Sequence, residues 1–306
     1  MYRAGQGLTG SRLSQQQERL WTLRNEGDAY RSECAVLLDG YLDQRTLNIA
    51  IARVIAQHEI LRTAFYQPPG ASISMQVVTH NTEFALKVID IQRIEASCQS
   101  GELEVFLTSL AGSMYTNEEE KPLRAWLLRL SVHNHLFVAQ FSPLCADAIT
   151  QQLFIEELLQ AYHALLEDRY AQIEILQYAD IAAWQDDLMQ EEGAEVHRQH
   201  WHDRDFGLIP KSPLPFERLS DKRPGTTFAP QSLAFPLEET MLAQIFAAAQ
   251  RYAVPPSSWF LTCWLLLLDR LSEEKGVVLG VACDGRIYEE LERSLGLYTR
   301  FVPVKM

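Results

Sequence analysis

The chain has 306 residues, of which 47% are hydrophobic and 22% are charged, a composition typical of a globular protein with a full core. The 40 acidic residues exceed the 27 Lys and Arg residues and give a net charge of −13, which excludes nucleic acid as a general partner because the surface repels phosphate. The most apolar stretch, residues 259–268, is too short to span a bilayer and predicts a buried helix without a membrane partner.

Cysteine usage indicates the compartment. The five cysteines, at positions 34, 98, 145, 263 and 283, are widely spaced and form no Cys-x-x-Cys pair. This pattern favours reduced thiols in the cytoplasm over a disulfide framework or a zinc site. The first ten residues lack the apolar core of a secretory signal, which agrees with a cytoplasmic location.

Caps and hydrophobic periods mark the elements in the first two thirds of the chain. Ser14 is a good N-cap for a helix that begins at Gln15, and Asp43 is a good N-cap for a second helix. Alternation, periodicity and turn residues predict strands at 34–38, 73–78, 84–89, 124–130 and 136–141, and helices at 103–114, 149–167 and 178–191.

The domain organisation follows from a segment that lacks hydrophobic periodicity. Residues 205–231 contain five prolines and predict a linker between an N-terminal lobe, residues 1–204, and a partial C-terminal lobe, residues 232–306. In the C-terminal part we predict strands at 232–235, 276–282 and 299–304 and helices at 238–252 and 256–271. Helices and strands are mixed in both parts, so the fold class is α/β or α+β.

Four motifs in this chain resemble those of the condensation domains of nonribosomal peptide synthetases. They are residues 13–21 (LSQQQERLW), 57–65 (QHEILRTAF), 178–184 (YADIAAW) and 295–304 (LGLYTRFVPV). The resemblance implies two lobes, each similar to chloramphenicol acetyltransferase. It also implies an enzyme that makes an amide or ester from a carrier-bound thioester. The phosphopantetheine arms belong to the partner carrier proteins, so the domain itself is expected to hold no cofactor.

The active-site motif of that family, His-His-x-x-x-Asp-Gly, matches residues 142–148 (SPLCADA) with both histidines replaced. Ser142 and Pro143 take the histidine positions, Asp147 takes the aspartate position and Ala148 takes the glycine position. In the family the second histidine is held responsible for catalysis, and proline can neither accept nor donate a proton. No catalytic residue is therefore expected to be intact. The resemblance further implies that Asp147 forms a structural ion pair with Arg62.

Other groups close to the motif are weak replacements for the lost histidines. Cys145 lies inside the motif but has no histidine near it in sequence to activate it, so we expect a small buried hydrophobe. His133 and His135 lie in the predicted hairpin turn, at the opposite end of the strand at 136–141 from the motif, and are expected to be solvated turn residues. His58 is expected to be a hydrogen-bonded packing residue.

Two further groups of polar residues have plain structural interpretations. Histidines 197, 200 and 202 lack further ligands for a metal, so no metal site is expected. Residues 284–286 (DGR) predict an ordinary turn with a surface arginine.

The resemblance also implies an incomplete second lobe, because condensation domains continue well past the last motif. The open strand edge then needs a cover, either a following domain or a second copy of this chain. We therefore predict a truncated, non-catalytic domain that serves as a platform or docking surface for the adenylation and carrier domains of its synthetase. Two alternatives stay open: an active acyltransferase that works by positioning alone, and a module that recruits a separate tailoring enzyme.

Overall fold

The structure, a computed structural model, describes residues 10–23, 32–67, 74–111, 121–169, 175–191, 193–204, 233–272 and 277–305. These residues fall into two compact units. The first contains the described residues up to Ala194 together with Asp284–Thr299, and the second contains the described parts of 195–283 and of 300–306. The predicted linker, 205–231, lies outside the described residues.

The first unit alternates strands and helices along the chain. Its elements are β1 (Gly10–Arg12), α1 (Gln15–Leu23), β2 (Ser32–Asp39), α2 (Gln44–Gln57), a 3-10 helix (Glu59–Arg62), β3 (Thr63–Tyr66), β4 (Met75–Val78), β5 (Lys87–Asp90), α3 (Ala96–Ala111), β6 (Leu123–Arg129), β7 (Asn134–Phe141), α4 (Ala148–Leu166), α5 (Tyr178–Gln190) and a second 3-10 helix (Glu289–Leu291). Asp43 caps α2 as predicted, since its side chain accepts a hydrogen bond from the Arg45 amide.

A four-stranded sheet in the order β2-β7-β6-β5 forms the centre of this unit. The β2–β7 and β6–β7 pairs are antiparallel, whereas β5 runs parallel to β6. Side chains alternate between the two faces because the period of a strand is two residues. Phe137, Ala139 and Phe141 join the core with α2 and α4, whereas Val138 joins a smaller cluster with α3. A separate three-stranded sheet has the order β1-β4-β3.

The second unit contains helices α7 (Glu239–Arg251) and α8 (Pro256–Leu271) and strands β8 (Val278–Cys283) and β9 (Arg300–Lys305), with α6 (Ala194–Asp203) belonging to it from Glu195 onward. β8 and β9 pair antiparallel. The prediction of a fully buried helix at 259–268 is wrong, because Phe260, Trp264, Leu266 and Leu267 are exposed. The few described elements of this unit do not cover all sides of α8.

The largest differences between the predicted and the observed elements concern one helix and one strand. The helix predicted from residue 103 begins at Ala96. The prediction missed its first two turns because they are polar and mostly exposed and therefore carry no apolar period. The predicted strand 232–235 is not observed, because its described residues, 233–235, are neither helix nor strand.

The boundary of the predicted C-terminal lobe also changes. Residues 284–299 pack with the first unit, because Leu291, Leu295 and Tyr298 are buried in its core. Among the described residues, no helix is both long and apolar enough to cross a bilayer.

Candidate functional site

The motif loop, residues 142–147, joins β7 to α4 and is anchored along its length. Gln17 of α1 donates its side-chain amide to the Leu144 carbonyl at 3.0 Å, and the Ser32 hydroxyl donates to the Ala146 carbonyl at 2.9 Å. Buried polar groups of this kind are costly to leave unpaired. The first predicted motif therefore contributes directly to the position of the loop.

The three substituted motif positions offer no proton-transfer group. Ser142 is buried, and its Oγ accepts a 3.4 Å hydrogen bond from the Leu144 amide. Pro143 is partly buried and has no ionisable atom, and Ala148 is exposed at the first turn of α4. A substrate at these positions would meet a hydroxyl, a pyrrolidine ring and a methyl group.

Cys145 is fully enclosed, with 0% of its surface exposed. Burial raises the pKa of its thiol far above the ordinary value, although a hydrogen bond with Ser142 partly opposes this. The thiolate, which is the nucleophilic form, is thus disfavoured. This agrees with the interpretation of Cys145 as a small buried hydrophobe.

We expect Cys145 to resist alkylation in the native protein. Iodoacetamide should modify the exposed thiols of Cys98, Cys263 and Cys283 while Cys145 stays unmodified until the chain unfolds, because both burial and the raised pKa suppress thiolate formation. Peptide mass spectrometry after timed labelling measures this. Labelling of Cys145 at the rate of Cys283 would contradict the enclosed position.

Asp147 is the centre of a buried hydrogen-bond network at the N-terminus of α4. Its Oδ1 accepts from the Thr150 amide at 2.8 Å, and its Oδ2 accepts from the Tyr298 and Thr299 amides at 2.9 and 3.1 Å. Arg286 binds both carboxylate oxygens at 3.1 Å, with its side chain only 1% exposed. A bidentate contact between an arginine and a carboxylate is stronger than a hydrogen bond between neutral groups.

The predicted ion pair between Arg62 and Asp147 is wrong. Arg62 instead donates to the Thr79 carbonyl at 2.6 Å and to Glu59 at 3.2 Å. The reason is its position at the end of the first 3-10 helix, directly before β3, where its side chain reaches the residue that follows β4. The aspartate of the motif thus keeps an arginine partner, but the partner is a different residue.

The expectation of a surface arginine at position 286 is wrong as well. Besides Asp147, its guanidinium donates to the Ser294 carbonyl at 3.1 Å and to the Thr150 hydroxyl at 2.8 Å, and it lies 4.3 Å from the centre of the Tyr298 ring. Local sequence shows only a turn, in which the Arg286 amide donates to the Asp284 side chain. The one sequence signal for this role of Arg286 was Asp147, because a buried carboxylate needs a cationic partner.

Burial by itself raises the pKa of Asp147, but the hydrogen bonds and charge of Arg286, with the Thr150 amide, hold that pKa below its ordinary value. As the pH falls, the unfolded chain takes up its proton first, near pH 4. The stabilisation by Asp147 is therefore complete above about pH 4 and is lost as the pH falls through the lower pKa of the folded state.

We expect this linkage to appear in a comparison of the wild type with Asp147→Asn. The difference in their free energies of unfolding should be constant from about pH 7 to 5 and should shrink progressively below about pH 4. Urea titrations at each pH measure the difference. If it stays constant or grows toward pH 3, Asp147 is not the depressed carboxylate that the geometry indicates.

Three of the predicted motifs meet at Tyr178. Its hydroxyl lies 2.7 Å from the Ser14 Oγ and donates to the Leu297 carbonyl at 2.7 Å, and its ring contacts the Tyr298 ring edge-on at 5.1 Å. The Gly296 backbone lies directly against the Tyr178 ring. These contacts give motifs 13–21, 178–184 and 295–304 a shared structural role around the anchored loop.

His58 is a hydrogen-bonded packing residue, as predicted. Its Nε2 lies 2.5 Å from Glu157 Oε2, and both side chains are buried. His135 lies in β7 opposite Leu38, at the end of the strand remote from the motif loop, and it is buried, so the expectation of a solvated turn residue is wrong for this histidine. Histidines 197, 200 and 202 lie on α6, and the described residues contain no group of three or more side chains placed to hold a metal.

Comparison with known proteins now defines the family. The condensation-domain family model matches residues 10–306, and the chain belongs to that family of nonribosomal peptide synthetase domains. It is 26% identical over 298 residues to tyrocidine synthase 3 of Brevibacillus parabrevis, a match that covers 96% of this chain and 4% of that protein. It is 26% identical over 299 residues to the chondramide synthase of Chondromyces crocatus, a match that covers 96% of this chain and 8% of that protein.

Solved structures confirm the chloramphenicol-acetyltransferase-like fold class. The first condensation domain of the CDA synthetase superposes with a TM-score of 0.80 at 19% identity, covering 97% of this chain and 70% of that one. The X-domain from teicoplanin biosynthesis superposes with a TM-score of 0.80 at 24% identity, covering 96% and 65%. The chain thus spans a small part of the synthetases and about two thirds of these solved chains.

Proposed function

We propose that this chain forms a non-catalytic condensation-type domain that acts as a structural platform for neighbouring domains of a peptide synthetase. One observation carries the proposal. At the histidine positions of the motif the chain places Ser142 and Pro143, and the remaining motif carboxylate, Asp147, is occupied by Arg286 and backbone amides. A general base is therefore missing from the loop that would carry it.

The selective survival of Asp147 supports this interpretation on energetic grounds. Removing one partner of a buried ion pair costs about 3–5 kcal/mol, which is a large share of the stability of a domain. Losing a general base lowers a rate by roughly 10²–10⁴-fold and leaves folding unaffected. A chain that kept its fold but no longer carried out the reaction would retain the aspartate and lose the histidines, which is the observed pattern.

The proposed partners are the adenylation and carrier domains of the same synthetase, since the relatives are multidomain synthetases. The second unit supplies a contact surface for them on α8, because Phe260, Trp264 and Leu267 are exposed and their helical spacing places them on one face. Apolar patches of this kind mark interaction sites. The five free cysteines of the chain agree with a location in the reducing cytoplasm.

An assay of amide formation tests the catalytic part of the proposal. The chain is mixed with a donor and an acceptor carrier protein, both loaded, and product is measured against a reaction with carriers alone. We expect no product above that background, for the wild type and for Pro143→His, because Ser142 still replaces the first histidine. A condensation domain that retains both histidines serves as the positive control. Turnover above background by the wild type would overturn the proposal.

A binding measurement tests the platform part. Calorimetry with the adenylation domain of the same synthetase should give a complex that Trp264→Asp weakens, because the substitution places a charge in the apolar surface of α8. Val105→Asp, at an exposed position of α3 in the first unit, is the matched control and should leave affinity unchanged. Equal weakening by both variants, or no complex, would contradict this surface as the platform.

A recruitment role is the second candidate, and a structural likeness favours it. The X-domain from teicoplanin biosynthesis is also solved as a complex with OxyB, and in that complex it superposes on this chain with a TM-score of 0.74. If this chain recruits a separate enzyme in the same way, a pull-down from the producing organism returns an enzyme that is not part of the synthetase. Recovery of synthetase domains alone favours the platform.

A further inference from the structure

A cleft of about 780 Å³ lies in the first unit, apart from the motif loop. Its walls come from α2, the middle of α4, residues 175–177 with the first turn of α5, and residues 289–294. Glu157 lines it, ten residues after Asp147 on α4 and thus about 15 Å further along the helix. The volume falls within the range of small-molecule sites, roughly 300–1,000 Å³.

A fixed carboxylate lies at the buried side of the cleft. Glu157 is largely buried, and one oxygen is held by His58 at 2.5 Å while the other lies 3.6 Å from the Arg293 guanidinium. Because the Arg293 side chain is half exposed, water weakens this second contact. The carboxylate is therefore positioned before any ligand arrives.

Hydrogen bonds also hold the part of the wall formed by residues 175–177 in place. The Gln177 amide donates to the Gln57 and Ile175 carbonyls at 3.1 and 3.3 Å, and its oxygen accepts from the Glu59 amide at 2.9 Å. Ser294 donates its hydroxyl to the Leu176 carbonyl at 3.1 Å. A cleft whose walls are already fixed loses little entropy when it binds.

The lining combines charged and apolar side chains. Its described charged residues are four carboxylates, Glu157, Asp180, Glu289 and Glu290, and two guanidinium groups, Arg53 and Arg293. The excess of negative charge in a concave site attracts cations. Ala161, Ala164 and Ile175 supply carbon surface beside these charges.

We propose that this cleft binds a small organic amine, with its ammonium group at the carboxylates and its carbon chain against Ala161 and Ala164. The excess of carboxylates and the carbon surface each select one part of such a ligand. An anion of the same shape is repelled, and a neutral alcohol lacks the charged contact. The inference does not depend on whether the motif loop is catalytic.

Hexylammonium is the probe, with hexanoate and 1-hexanol as comparison ligands of the same length. In an NMR titration of the whole chain, hexylammonium should shift the amide signals of Ala161, Ala164 and Leu176 at concentrations up to about 10 mM, with a measurable Kd. Ala164→Phe, which fills the cleft at its carbon surface, should abolish these shifts. Hexanoate should leave the signals unchanged.

Variants at the rim separate the cleft from general acidity of the surface. Glu289→Gln with Glu290→Gln, both at exposed positions, should weaken hexylammonium binding about three- to tenfold. Glu102→Gln with Glu104→Gln on α3 changes the net charge equally and should leave the Kd unchanged. Equal weakening by both pairs, equal binding of hexanoate, or the absence of shifts at the cleft would overturn the proposal.

Discussion

Replacing Arg286 with alanine is expected to lower the free energy of unfolding of the first unit by about 3–5 kcal/mol. The Asp147 carboxylate, whose side chain is 3% exposed, would then remain buried without its counter-charge. The backbone amides of Thr150, Tyr298 and Thr299 would still bind this carboxylate, but they cannot neutralise its charge. Since the chain divides into two compact units, a measurement local to the first unit is needed, and hydrogen exchange of the β6 and β7 amides provides it.

Arg62→Ala is the matched control, since Arg62 is the partner that the motif resemblance implied. Its loss removes contacts with Thr79 and Glu59 only and should cost about 1–2 kcal/mol. A double-mutant cycle with Asp147→Ala should give a large coupling energy for Arg286 and a negligible one for Arg62. The reverse order of coupling would show that the ion pair is misassigned.

Gly296→Ala is expected to destabilise the first unit by about 3 kcal/mol or more. A Cβ at this position would lie 2.0 Å from Cδ2 of Tyr178 and 2.7 Å from its Cγ, closer than atoms can approach. The Tyr178 ring cannot move away without breaking its contacts with Ser14 and the Leu297 carbonyl. Hydrogen exchange at the same amides, or the midpoint of thermal unfolding, measures the effect.

Gly101→Ala is the control for this prediction. Gly101 lies in α3, is exposed, and has no atom within 4 Å of a built Cβ. Alanine there should stabilise the helix by about 0.5–1 kcal/mol, because glycine is the more flexible residue in the unfolded chain. If both alanine variants behave alike, close packing against Tyr178 does not explain the glycine in the last motif.

Together these predictions distinguish the structural from the catalytic content of the motifs. Residues 284–299 are held against the rest of the first unit by contacts of Arg286, Asp147, Gly296 and Tyr178. We expect their replacement to affect folding, whereas replacement of Pro143 should leave stability nearly unchanged. Such a contrast in stability effects is what the proposed non-catalytic role predicts.

Most secondary structure was accessible from local patterns. The start of the helix that Asp43 caps and the strands of the β6–β7 hairpin were both predicted close to their observed positions, since caps and periods act over a few residues. Polar turns at the start of α3 and the exposed residues 233–235 carry no such pattern, and there the predictions failed. The condensation-domain family also followed from motif order alone and is confirmed by the family model.

The sequence by itself determined the family and the mixed α/β class, because residue identity and local spacing are sufficient for these. Only the tertiary structure decided which arginine binds Asp147, since that partner lies 139 residues away and its local sequence resembles an ordinary turn. It also decided that residues 284–299 belong with the first unit. Long-range pairing depends on which buried charge meets which in the folded core, and this information is not carried by neighbouring residues.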